Sequence, residues 1–136
     1  MKAGDKIDTG GEDWEVISTY SRAQAIEDGI LADVNALAPD LIANAGIKLH
    51  VAMTSTVWDE FVVVPEDVVG QDWKGRLWDI LWLMRTAAKR ATGDTIYFTV
   101  NVQNDNAAPR PVRLKAVCGP DDDGEPCLTL MAPEED

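Results

Sequence analysis

The stretch from Trp73 to Arg90 contains no proline and one glycine, Gly75 in its first turn, and it is apolar around most of a helix's girth. Leu77, Ile80, Leu81, Met84 and Ala88 recur at the i, i+3, i+4, i+7 spacing of one buried helical face. Trp78 and Trp82 stand one turn apart on an adjoining face, which leaves only a narrow polar strip. Asp72 is a good N-cap, and Lys89 and Arg90 oppose the helix dipole at the other end. A helix this apolar has to be covered on most sides, so it predicts a central core element.

The cover is written immediately downstream. Ile96, Phe98, Val100 and Val102 alternate with Thr95, Tyr97, Thr99 and Asn101, the period of a half-buried strand. Val112, Leu114, Ala116 and Cys118 alternate with Arg113, Lys115 and Val117, and Leu128 and Leu130 do so with Cys127 and Thr129. The loops between these runs, NDNAAPRP and PDDDGEP, are dense in turn residues. The expectation is an α+β fold in which a C-terminal three-stranded antiparallel meander packs against the long helix. Leu77, Ile80, Leu81 and Met84 should meet Phe98, Val100, Leu114 and Leu128, because Ala91 to Asp94 is too short to carry the first strand away from the helix.

Shorter elements precede the helix. Residues 1–13 are rich in Gly and Asp and read as a flexible acidic arm, leaving 14–136 as the single domain. Trp14 to Tyr20 has the β-branched and aromatic content of a strand. Ser21 and Gln24 form a capping box for a helix to Asp28, stopped at Gly29. Ile30 to Val34 is extended, Pro39 opens a second short helix closed by Gly46, and Lys48 to Met53 alternates as a strand. A third helix from Thr54 or Ser55 to Val64 is stopped by Pro65, although Val57, Val62, Val63 and Val64 fit a strand as well.

Charge is the second constraint. The net charge of −12 divides unevenly. Residues 1–72 carry 14 acids and 4 bases, residues 73–118 carry 3 acids and 8 bases, and residues 119–136 carry 7 acids and no base. A chain this acidic lacks the net basic footprint that phosphate binding requires, so direct nucleic-acid binding is not expected. The bases of the middle region, Lys74, Arg76, Arg85, Lys89, Arg90, Arg110, Arg113 and Lys115, are expected to pair with acids of the flanks. The longest apolar runs, such as Phe61 to Val64, fall far short of the ~20 residues of a membrane span. No apolar targeting segment follows Met1, so a cytoplasmic setting is expected.

No catalytic, cofactor or metal constellation emerges. With Gly124 placed sixth in a calcium-binding loop, the first position is Gly119 and the twelfth Leu130, neither of them a ligand. The only histidine, His50, lies far in sequence from Cys118 and Cys127, which bracket eight residues and are placed to face each other across a hairpin. No nucleophile elbow surrounds Ser21 or Ser55. Asp59-Glu60 and Glu66-Asp67 are adjacent pairs suited to solvated surfaces. Gly10-Gly11 and Gly70 lack the lysine and spacing of a phosphate-cradling loop.

Two groups of residues remain as partner-binding candidates. Asp121, Asp122, Asp123 and Glu125 cluster in the last hairpin with no base nearby in sequence. Core packing is the default for Trp58, Trp73, Trp78 and Trp82 on the two central helices. A partly exposed Trp73 or Trp82 instead suits an interface anchor, since Trp is enriched among binding hot spots.

Several stretches carry a resemblance. Tyr20 to Gly29, Gly75 to Trp82, Asn104-Asp105-Asn106, Leu114 to Pro120 and Asp122 to Pro126 together resemble an uncharacterised family of small acidic accessory proteins of plasmids, integrative elements and phages. The resemblance covers residues 15–136. It implies a setting in which small acidic proteins act against host defences, including restriction enzymes and CRISPR effector complexes, by occupying their DNA-binding surfaces. The functional expectation is therefore a non-enzymatic inhibitor that binds a basic nucleic-acid-handling host protein, with DNA mimicry as one form of it. The alternative is an interaction or regulatory module of a mobile element whose acidity serves solubility, in the form of a homo-oligomer built through the tryptophan-bearing helix.

Overall fold

A computed structural model describes residues 21–105 and 107–135, so the arm expected at 1–13 and the strand expected at Trp14 to Tyr20 lie outside the described residues. Ser21 caps helix α1 (Arg22–Glu27) as its sequence predicts: its Oγ accepts from the Gln24 N–H at 2.9 Å. Gly29 takes the left-handed conformation just past the helix, φ +78°, where a Cβ would be strained. Strand β1 (Leu31–Asp33) leads directly into a one-turn helix, α2 (Val34–Leu37), capped by Asp33. Val34, expected to be extended, instead opens this turn, because Asp33 caps it through the Ala36 N–H. Helix α3 (Pro39–Asn44) has proline in its first turn, and strand β2 (His50–Thr54) follows.

The helix expected from Ser55 to Val64 is shorter and wider than its pattern implied. A single α turn, α4 (Ser55–Val57), continues as a π-helical turn over Trp58–Val62, closed by a bond from the Val63 N–H to the Trp58 carbonyl. Val63 is already extended, in keeping with the β-branched run around it. The long helix α5 spans Trp73–Ala88 and ends just before Arg90; the Asp72 carboxylate accepts from the Gly75 N–H at 2.6 Å.

Strands β3 (Thr95–Val102), β4 (Arg110–Pro120) and β5 (Pro126–Met131) form the expected antiparallel meander. The sheet does not stop there. β2 joins β5 in parallel and β1 joins β2 antiparallel, giving five strands in the order β1-β2-β5-β4-β3. Leu77, Ile80, Leu81 and Met84 of α5 share one buried cluster with Phe98, Val100, Leu114 and Leu128, as the two periodicities require. Val51, Met53, Val57 and Val62 complete the cluster from the N-terminal half. β5 is buried on both faces, with Leu128 and Leu130 in the core cluster and Arg22 of α1 reaching Thr129, so its alternation is less clean than that of β3, an edge strand.

Candidate partner-binding surfaces

The acidic hairpin is organised from within. The Asp121 Oδ1 accepts from the backbone N–H of Asp123 and of Glu125, each at 2.9 Å. The Asp122 carboxylate reaches across to α1, where its two oxygens accept from the N–H of Arg22 at 2.8 Å and of Ala23 at 3.0 Å. These backbone donors, Ala23 first and Arg22 second, hold the Asp122 carboxyl below the usual carboxylate range. The Arg22 guanidinium continues the link on the sheet face opposite α5, donating to Thr129 Oγ1 at 2.6 Å and to the Leu128 carbonyl at 2.7 Å. A base absent from the loop's sequence neighbourhood is thus brought to it by the fold. Asp123 and Glu125 stay exposed at the tip.

Arg76 builds a second junction. It is 7% exposed, yet its guanidinium faces neutral acceptors: Gln71 Oε1 at 3.3 Å, the Val63 carbonyl at 3.2 Å, Asn104 Oδ1 at 2.8 Å and the Gln103 carbonyl. Asn104 passes the link on to the Glu60 carbonyl at 2.8 Å. Burial lowers the Arg76 pKa from its ordinary value. One side chain therefore ties together the end of the π turn, the approach to α5 and the loop after β3. Arg22, Asp122, Arg76 and Asn104 all fall in the stretches that carry the family resemblance, and each of these side chains fastens one segment to another.

Three of the other middle-region bases lie over aromatic rings. Lys74 Nζ lies 5.6 Å from the Trp73 ring, Arg85 lies 5.4 Å from Trp82 and Arg113 lies 4.8 Å from Tyr97, all within cation–π range. Arg110 pairs at 3.2 Å with Asp105 of its own region. The described tryptophans divide between core and surface. Trp58 and Trp78 are half-buried against the core, whereas Trp73 is 36% and Trp82 44% exposed. Trp58 tilts onto Trp73 at 5.9 Å, and Trp78 stacks on Trp82 at 5.7 Å.

The cysteines do not face each other. Cys118 pairs in register with Leu128, and Cys127 with Gly119, so the two thiols lie on opposite faces of the sheet and both are free. The sheet register brings together residues that lie far apart in sequence. Cys127 lies beside His50 on the neighbouring strand, and His50 Nε2 is 3.0 Å from Asp33 Oδ1. Those are the residue types of a cysteine nucleophile with its base and orienting acid, but the environment runs the other way. Cys127 is 3% exposed and burial raises its pKa, which disfavours the reactive thiolate. Among the described residues no group of three or more His, Cys, Asp or Glu is placed to hold a metal ion. Nor is any helix among them long and apolar enough to cross a membrane.

No curated protein and no solved structure matches the chain. A family model, described as a family of unknown function (DUF6573), matches residues 10–136, and the chain belongs to that family.

Proposed function

We propose that this chain is a non-enzymatic acidic inhibitor that binds a basic nucleic-acid-handling host protein, an anti-defence function of a mobile genetic element directed at targets such as CRISPR effector complexes or restriction enzymes. The observation that carries the reading is the fixed presentation of the hairpin. Asp121 and Asp122 pin the loop to itself and to α1, so the exposed carboxylates of Asp123 and Glu125 stand on a braced support. A braced loop loses less conformational entropy on binding, and clustered carboxylates offer a basic channel what phosphates offer it. The setting is cytoplasmic, where such targets act. The test is DNA cleavage by purified restriction or CRISPR effector complexes with and without the chain, supported by phage plaquing in a host that carries them. Inhibition relieved by excess DNA supports the reading; undiminished cleavage by every complex, with undiminished protection of the host, contradicts it.

A second reading has its own observation. The exposed, stacked Trp82 favours an oligomeric interaction module whose acidity serves solubility. Light scattering on wild type and on Trp82→Ala separates the two: a dimer lost in the variant supports the module, and a monomer in both cases speaks against it.

A further inference from the structure

Where the π turn meets the start of α5, an open groove of about 490 Å³ is lined by Trp58, Val63, Val64, Gln71, Asp72 and Trp73. Its lining is mainly apolar. The tilted indoles of Trp58 and Trp73 line it together with Val63, 43% exposed, and Val64. Arg76 fixes the Val63 backbone by its bond to that carbonyl, and Asp72 caps α5. Exposed apolar surface rimmed by polar groups marks an interaction site, and tryptophan is its usual anchor.

The charge around the groove says what fits it. From Trp58 to Trp73 the chain carries Asp59, Glu60, Glu66, Asp67 and Asp72 and no base. Asp59 and Glu60 are exposed on the π turn, and Asp72 lines the groove itself. Acid at the groove and along the segments that line it repels phosphates, which rules against a nucleic acid strand. It also disfavours an isologous contact with a second copy, which would bring acid onto acid. Lys74, the base next in sequence, lies over the Trp73 ring.

We infer that this groove docks a basic amphipathic segment of a partner protein, an apolar side chain entering between Trp73 and Val63 while flanking Lys or Arg residues meet Asp59, Glu60 and Asp72. The inference rests on the proposed basic partner and assigns it a second contact, one that adds apolar anchoring to the charge attraction of the hairpin.

The full chain is titrated with a labelled synthetic helical peptide bearing Leu at i, i+3, i+4 and i+7 and Lys or Arg elsewhere, read by anisotropy and by tryptophan emission. A peptide of the same charge with Ser in place of Leu is the control. The expected result is tighter binding of the Leu peptide, with Trp73→Ala and Val63→Asp each weakening it by about tenfold or more. Asp59→Asn with Glu60→Gln weakens it and flattens its salt dependence, while Tyr97→Ala on the far face of the sheet has no effect. Val63→Asp lies at an exposed position, so it keeps the test open if Trp73→Ala fails to fold. Equal binding of the Leu and Ser peptides, insensitive to Val63→Asp, overturns the groove and leaves a basic partner standing. No binding of either peptide at low salt overturns both. A dimer that dissociates on Val63→Asp overturns the inference in favour of a second copy as the occupant.

Discussion

Asp122 and Arg22 are a hundred residues apart in sequence, yet the Asp122 carboxylate accepts the Arg22 backbone N–H at 2.8 Å and so joins the last hairpin to the first described helix. Its second oxygen takes the Ala23 N–H. An acid drawn from a cluster that reads as pure surface charge is therefore part of the fold's closure. Because these bonds depress its folded pKa below the unfolded value, the unfolded chain binds more protons through the interval between them. The stability Asp122 contributes is complete above the unfolded value of about 3.9 and is lost as pH falls through the folded one. Asp122→Asn should lower Tm at neutral pH and reduce the loss of stability below about pH 4. An unchanged acid profile would contradict the role.

Arg76 should be intolerant of even a conservative change. A lysine ammonium lacks the planar fork that meets Gln71, Asn104 and the Val63 and Gln103 carbonyls together. A buried acceptor left without a donor costs roughly 1–3 kcal/mol, and these part-buried ones lose about 1 kcal/mol each, at the lower end of that range. Denaturant unfolding of Arg76→Lys should show a loss of that order, and Arg76→Met a larger one. A change of only a few tenths for either would mean that the three loops hold without it.

The contact between α5 and the sheet carries the core. Leu81 is fully buried, in one cluster with Phe98 and Leu114. Leu81→Ala should cost roughly 2–5 kcal/mol, a large share of the ~5–15 kcal/mol that stabilises a typical domain. Thermal melting within a degree or two of wild type would be inconsistent with this packing.

The thiols should behave as two separate classes. Cys118 is partly exposed, whereas Cys127 is buried with a raised pKa. A thiol reagent at neutral pH should label Cys118 readily and Cys127 only on unfolding, and mild oxidation should yield no intramolecular disulfide, since the two side chains lie on opposite faces. Rapid labelling of both, or a Cys118–Cys127 crosslink, would contradict the register.

Much of this architecture is legible from local pattern. The girth of α5 and the strict alternation of β3 specify which faces meet, because each period is set by the geometry of its own element. Caps at Ser21 and Asp72 are equally local, and so are the stops at Gly29 and Gly46. What local pattern does not carry is the parallel pairing of His50–Met53 with Cys127–Leu130, which joins segments far apart in the chain and leaves no turn signature between them. The π turn at Trp58–Val62 is hidden for a related reason: Val62 and the valines flanking the turn, Val57, Val63 and Val64, suit helix and strand alike, and Arg76 and Asn104 fix the outcome from a distance. The surface was half legible. Composition marked the hairpin acids and the exposed indoles of Trp73 and Trp82, but nothing short of the fold separates the bracing acids Asp121 and Asp122 from the presented ones, Asp123 and Glu125.

The most direct measurement is the affinity of the chain for a purified DNA-binding defence complex as a function of salt, for wild type and for Asp123→Asn with Glu125→Gln. Screening contracts from ~10 Å at 0.1 M to ~3 Å at 1 M, so a contact made through these carboxylates weakens steeply over that range. The account predicts a strong salt dependence that is reduced in the double variant, and competition between DNA and the chain for one surface. Affinity indifferent to salt and to both substitutions, or simultaneous binding of DNA and the chain, would contradict it.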